Sequence, residues 1–128
     1  MLTRSAFAAV LIASLTAPAA PTGAADACPA SDLQLEAIVR AVETAPSCAT
    51  AYKIAEACAF GSSADVQTAA IVIQKCEARM TAAQRAGYER ASRACTAKYA
   101  GKDGTMYLSM AAFCSAGAAV KAAGHAGR

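Results

Sequence analysis

Six cysteines constrain this chain more than any other feature of its sequence. They stand at Cys28, Cys48, Cys58, Cys76, Cys95 and Cys114. An even number of cysteines behind an apolar leader is typical of an exported domain whose cysteines form disulfides. Their spacing contains no C-x-x-C redox motif, no haem-attachment motif and no short zinc knuckle, so three disulfides are the prediction.

The apolar leader is predicted to be a secretory signal peptide covering residues 1–27. A weakly positive start, 1–4, precedes the uncharged apolar run 5–16 and a region of small residues, and cleavage near 25–27 satisfies the small-residue rule. The run is shorter than the ~20 residues of a spanning helix, so we expect a periplasmic or secreted protein with no transmembrane helix after signal removal. Lipidation at Cys28 is the alternative, although Asp26 stands where a lipoprotein signal has a small residue.

Residues 28–123 are predicted to form one all-α domain, a small bundle of about five helices, followed by a flexible tail at 124–128. Alanine supplies 28 of the 101 residues after residue 27, and alanine is the strongest helix former. Capping residues, prolines and glycines place the helices at about 31–45, 47–60, 64–80, 81–100 and 105–123.

Periodicity predicts which helix faces are buried. Two capping boxes, Ser31 with Gln34 and Thr81 with Gln84, mark helix starts. For the third helix the predicted inner face is Val66, Ala70, Ile73, Cys76 and Met80, and for the fourth it is Tyr88, Ser92, Cys95 and Tyr99. An outer charge ladder of Arg85, Glu89 and Arg93 is expected on the fourth helix.

The run GTMYLSMAAFC at 104–114 opens the fifth helix, which has no charged residue from Thr105 to Val120. A helix that is apolar all round is normally central and buried, so this one is predicted to be the core helix. The residues recurring on its predicted inner face are Met106, Met110, Phe113 and Gly117. The alternative is a small-molecule pocket lined by Met106, Tyr107, Met110 and Phe113.

The order of the helices favours one set of disulfides. If successive helices alternate in direction, the end of the second returns to the start of the first, and the start of the second lies near the end of the third. Because a disulfide needs Cα atoms within about 7 Å, this favours the pairs Cys28–Cys58, Cys48–Cys76 and Cys95–Cys114.

The charge of the chain is mildly basic. Eleven basic and eight acidic residues follow residue 27, a net charge of +3, which is far below the charge density of a nucleic-acid binder. The basic residues concentrate between 75 and 102. One interpretation is a solvated helix face; the other is a binding face for an anionic surface, formed by Arg85, Arg90, Arg93 and Lys98.

Catalytic chemistry has few candidates in this sequence. The one histidine, His125, lies in the tail, the carboxylates are scattered, and no glycine-rich phosphate loop is present. If all six sulfur atoms are paired, no thiol remains. We therefore expect no enzyme, no metal and no cofactor.

The segment 76–114 resembles a pattern in small exported bacterial proteins of unassigned function. The residues that carry the resemblance are Cys76, Tyr88, Cys95, Lys98-Tyr99, Gly104-Thr105-Met106-Tyr107 and Ala112-Phe113-Cys114. In general plan the chain is also similar to the exported, cysteine-paired lysozyme-inhibitor domains of the LprI type. That likeness implies a helical binding protein, and it assigns no functional residue here.

These observations favour a non-catalytic exported helical module that contacts a secreted or cell-envelope protein, inhibitor-like in the sense of the resemblance, or an anionic surface. One alternative is a carrier of a lipid or other apolar ligand, and another is a purely structural envelope protein. The oligomeric state is left open by the sequence.

Overall fold

The computed structural model describes residues 27–30 and 34–124 of the chain. Within these ranges it contains five α-helices and no strand: α1 (Leu35–Thr44), α2 (Cys48–Ala57), α3 (Asp65–Glu77), α4 (Ala82–Tyr99) and α5 (Thr105–Gly124). The predicted all-α class is therefore confirmed. The leader up to residue 26, Ser31 and the tail with His125 lie outside the described residues.

Side-chain caps set the starts of α2 and α4. The hydroxyl of Ser47 accepts the backbone N–H of Thr50 at 3.0 Å and begins α2. Thr81 and Gln84 form the predicted capping box at the start of α4, with both hydrogen bonds made. The predicted start of the first helix is wrong. Gln34 has an extended backbone, with φ −73° and ψ 128°, so α1 begins at Leu35.

Two helices end earlier than predicted. The helix α2 stops at Ala57 instead of residue 60, because the carboxylate of Asp65 accepts the N–H of Phe60 at 2.9 Å. A continued helix would have directed that N–H to a carbonyl four residues back. Gly61, with φ +67°, then turns the chain. The helix α3 ends at Glu77 instead of Met80, and single turns complete the connection to α4.

The core is built largely from small side chains. Its largest fully buried members include Ile38, Val42 and Val72, and the alanines buried with them are Ala51, Ala55, Ala69, Ala116 and Ala119. The helix α5 packs against α3, α4 and α2, while α1 covers α2 and α3. The expected central position of the fifth helix among its neighbours is thus observed.

The predicted buried face holds for α4 and only in part for α3 and α5, where Cys76 is buried and Ile73, Met80 and Phe113 are partly buried against the core. On α4, Tyr88 and Cys95 are buried. On α3 the buried set is Asp65, Thr68, Ala69, Val72 and Cys76, whereas Val66 and Ala70 are exposed. On α5 the buried set is Ser109, Ala116 and Ala119, whereas Met106 and Met110 are 53% and 42% exposed. Close packing of α5 between α3 and α4 selects small side chains, which leaves the methionines outside.

Three disulfides join neighbouring elements, and no cysteine in the described residues is free. The pairs are Cys28–Cys58, Cys48–Cys76 and Cys95–Cys114, with Cα atoms 4.8, 5.0 and 5.7 Å apart. They are the pairs that alternating helix directions favour. Three disulfides point to an oxidising compartment outside the cytoplasm.

The alternation also brings the exposed large apolar side chains together at one end of the bundle. The end of α2, the start of α3, the end of α4 and the start of α5 lie together there, joined by a 2.7 Å hydrogen bond from Ser109 to Asp65. Exposed large hydrophobic residues of this end, which we call the apolar end, are Phe60, Val66, Met106, Leu108 and Met110.

Candidate functional site

The four basic residues proposed as a binding face all lie exposed on α4, but they do not converge. Arg85 is held by Glu77, with an ion pair of 3.6 Å and a hydrogen bond of 3.0 Å to its backbone carbonyl. Lys98 lies 5.3 Å from the centre of the Tyr99 ring. Arg90 and Arg93 have no side-chain partner among residues 27–30 and 34–124. They remain available to an acidic partner on the outer side of α4.

Aromatic and basic residues form a cluster at the turn between α4 and α5, which reasoning from the sequence did not predict. The rings of Tyr99 and Tyr107 are 6.4 Å apart, and Lys102 lies 5.9 Å from the first and 5.2 Å from the second. The signal was the placement of tyrosine and lysine on both sides of a turn bounded by two positive-φ glycines, Gly101 and Gly104.

The predicted pocket of methionine and aromatic side chains is not formed. Phe113 packs edge-on against Tyr52 of α2, with ring centres 6.3 Å apart. Tyr107 faces Tyr99 instead, and Met106 and Met110 are exposed. Residues of one helix that seemed to share a face are thus divided among different neighbours.

An apolar groove lies between α3 and α4, which make little direct contact, and α5 forms its floor. Its volume is about 320 Å³. The lining residues are Val66, Ala69, Ala70 and Ile73 of α3, Tyr88, Ser92 and Thr96 of α4, and Leu108, Ala111, Ala112 and Ser115 of α5. None of them is charged. We call this feature the α3–α4 groove.

Two residues make the α3–α4 groove a candidate contact surface. Val66 and Leu108 line it and are 43% and 53% exposed, although both are large and apolar. Ser92 and Ser115 bond to each other at 3.1 Å, so these hydroxyl groups satisfy one another. The groove therefore presents a surface whose main interaction is apolar contact.

Two features of the described residues bear on metal binding and on carboxylate chemistry. No group of three or more His, Cys, Asp or Glu side chains within them could hold a metal ion. Asp65 is 1% exposed, and its carboxylate accepts hydrogen bonds from Phe60, Ser62 and Ser109. These bonds hold the connection between α2 and α3, which is a structural role.

One tyrosine has a perturbed acidity. Burial, followed by the hydrogen bond to Glu56 and the negative charge of that residue, raises the pKa of Tyr52 to about 12. The hydroxyl donates to Glu56 Oε1 at 2.7 Å. Gly117 of α5 leaves room for it, because a Cβ atom there would stand 3.2 Å from the Tyr52 oxygen. The close approach of Tyr52 to Gly117 couples α2 to α5.

The helix α5 is long and apolar enough, by length and composition alone, to cross a membrane. It spans 20 residues, because it continues beyond Val120, where the uncharged run of the sequence ends, through Lys121 to Gly124. It is bonded to α4 through Cys95–Cys114 and packs against α2, α3 and α4.

No protein-family model, curated protein or solved structure matches this chain.

Proposed function

We propose that this protein is a non-catalytic binding module of the periplasm or the extracellular space, and that it binds a protein partner through the α3–α4 groove. The observation that carries the proposal is an uncharged groove with Val66 and Leu108 exposed along it. Exposed apolar surface of this kind is typical of a contact site. The three disulfides support action outside the cytoplasm and a rigid surface before binding.

The length of the α3–α4 groove suits the apolar face of an amphipathic helix of the partner. Its α3 wall runs from Val66 to Ile73 and its α4 wall from Tyr88 to Thr96, which is about 10–12 Å at 1.5 Å per residue. That length accepts two turns of a helix whose apolar residues recur every three to four positions. Arg90 and Arg93 lie farther round α4 and favour acidic residues beside the apolar ones.

Site-specific photo-crosslinking in producing cells tests the proposal. A photoreactive residue is placed at Ala70, in the α3 wall, or at Ala111, in the floor, and at exposed Lys53 of α2 as the control. We expect the first two positions to capture the same protein and the control position to miss it. Leu108→Arg should abolish capture, because it puts a charge into an uncharged groove.

Two outcomes would count against a protein partner in the α3–α4 groove. Equal labelling from Ala70, Ala111 and Lys53 would indicate random contact. The absence of any protein adduct, with or without Leu108→Arg, would favour the structural alternative. The double variant Arg90→Glu with Arg93→Glu separately tests the basic residues, since capture should weaken only if acidic residues of the partner approach them.

A further inference from the structure

A second hollow lies between the start of α4 and the end of α5, away from the apolar end. Its volume is about 330 Å³, and its lining residues are Gln84, Gly87, Tyr88, Ala91, Ala118, Lys121 and Ala122. This volume lies within the usual range of small-molecule sites. We call it the α4–α5 cavity.

The α4–α5 cavity exists because small residues face each other across two helices. Gly87 and Ala91 supply one wall, and Ala118 and Ala122 supply the other. Gly87 is not needed for close helix packing, because a Cβ atom there would meet only the end of the Arg90 side chain, at 3.8 Å. The space is therefore open to a ligand, and its walls are apolar.

Each polar residue of the α4–α5 cavity offers a hydrogen-bond donor. Tyr88 is 8% exposed, and its hydroxyl has no hydrogen-bond partner among the described residues. The amide oxygen of Gln84 accepts the backbone N–H of Thr81 at 2.8 Å, and its amide nitrogen is a donor that can turn towards the cavity. Lys121 carries a positive charge and has no ion-pair partner within the described chain.

The hydroxyl of Tyr88 reaches solvent, because no buried side-chain oxygen or nitrogen in the described residues lacks a hydrogen-bond partner, and it is therefore free to donate to a ligand in the cavity. Three residues with donor groups, one of them the charged Lys121, match a negatively charged oxygen group, and small apolar walls match a hydrocarbon body.

We infer that the α4–α5 cavity binds a small organic carboxylate with an apolar chain, in the size range of a medium-chain fatty acid. The carboxylate receives hydrogen bonds from Tyr88 and Gln84 and pairs with Lys121. The chain lies against Gly87, Ala91, Ala118 and Ala122. This site is separate from the α3–α4 groove, although Tyr88 borders both.

Calorimetric titration of the mature, disulfide-bonded protein with butanoate, hexanoate and octanoate tests this inference, with octanol as the neutral analogue. Each added methylene should strengthen binding about two- to fourfold. Octanol should bind at least ~10-fold more weakly than octanoate, because it lacks the charge that the donors recognise.

Variants separate the chain contact from the charge contact. Ala91→Leu fills the hollow from an exposed helix position, so the protein should fold normally and lose octanoate binding. Lys121→Gln should weaken octanoate binding about fivefold or more and leave octanol unchanged. Lys98→Gln, which removes an exposed charge near the other end of α4, is the matched control and should bind as the wild type does.

The inference is overturned if octanoate and octanol bind equally, if Ala91→Leu binds octanoate as tightly as the wild type, or if octanoate shows no binding at millimolar concentration. Failure here leaves the proposed protein partner untouched, because the photo-crosslinking positions Ala70 and Ala111 lie in the α3–α4 groove and outside this cavity.

Discussion

The hydroxyl of Ser109 donates a 2.7 Å hydrogen bond to the carboxylate of Asp65, which lies 44 positions earlier in the chain. The same carboxylate accepts the backbone N–H groups of Phe60 and Ser62 at 2.9 and 3.2 Å. One buried side chain thus ends α2, orders the connection to α3 and attaches α5 at the apolar end. The bundle depends on this contact because its alanine-rich core buries few large side chains.

Replacing Asp65 with Asn should lower the free energy of unfolding by about 1–3 kcal/mol, because an amide cannot accept all three bonds as a carboxylate does. Ser109→Ala should cost about 1 kcal/mol, since it removes one of them. Urea unfolding measures both changes, with exposed Ser63→Ala as the control. Unchanged stability of Asp65→Asn would contradict the role given to this carboxylate.

The corrected face of α3 is tested by one chemical change at two positions. Val72 is fully buried and Val66 is 43% exposed. Val72→Ala should lower the free energy of unfolding by about 1.5–3 kcal/mol, through lost burial and the cavity left behind. Val66→Ala should change it by less than about 0.5 kcal/mol. If urea unfolding showed equal losses of stability for the two substitutions, both valines would be packed alike and the corrected face would be wrong.

The features predicted correctly from the sequence were those set by short-range chemistry or by helix order. The capping box of Thr81 and Gln84 needs only residues three positions apart. The disulfide pairs follow from the direction of successive helices, which brings Cys48 beside Cys76 whatever the details of packing. Such features require no knowledge of which side chains meet across the core.

The buried faces of α3 and α5 were predicted only in part, because alanine occurs on every side of these helices. Periodicity was then judged from the larger residues, such as Met106 and Val66, whereas the packed faces are made by Ala69 and Ala116. The α4–α5 cavity was missed because it results from missing side chains on two helices. The Cys95–Cys114 pair could have revealed it, since that pair fixes the register of α4 against α5.

Each disulfide should contribute about 3–4 kcal/mol to the free energy of unfolding. The bonded residues are 30, 28 and 19 positions apart, and closing loops of these lengths in the unfolded chain sets the magnitude. Replacing both cysteines of one pair with alanine, followed by thermal unfolding, measures each contribution. The 19-residue loop of Cys95–Cys114 should contribute slightly less than the others. A fully reduced chain that keeps the wild-type melting temperature would refute this dependence.

The raised pKa of Tyr52 predicts a loss of stability in alkaline solution. Its pKa is about 12 in the folded protein and 10.0 ordinarily, so the unfolded chain loses this proton first. The stabilisation is complete below pH 10 and disappears as the pH rises through 12. Solvent screening of this partly exposed pair limits the effect to about 1 kcal/mol. Urea unfolding from pH 8 to pH 12 should show this loss in the wild type and not in Tyr52→Phe. If the stability of the wild type and that of Tyr52→Phe fell in parallel between pH 8 and pH 12, the contribution of the Tyr52 pKa would be excluded.

The two mid-helix glycines, Gly87 and Gly117, should respond differently to alanine. Alanine is favoured over glycine in a helix by up to about 1 kcal/mol. A Cβ atom at Gly87 has open space, so Gly87→Ala should raise the free energy of unfolding by about 0.5–1 kcal/mol. At Gly117 the new methyl would stand 3.2 Å from the Tyr52 oxygen, which offsets the gain.

Removing the Tyr52 oxygen should restore the gain at Gly117. We therefore expect Gly117→Ala to stabilise the Tyr52→Phe protein by at least ~0.5 kcal/mol more than it stabilises the wild type, as measured by a double-mutant cycle in urea. The same comparison with Gly87→Ala should show no coupling, because Gly87 lies on α4 and meets Arg90 instead. Equal effects of Gly117→Ala in both backgrounds would mean that α5 shifts to admit the methyl, and the close approach of α2 and α5 would then not depend on glycine.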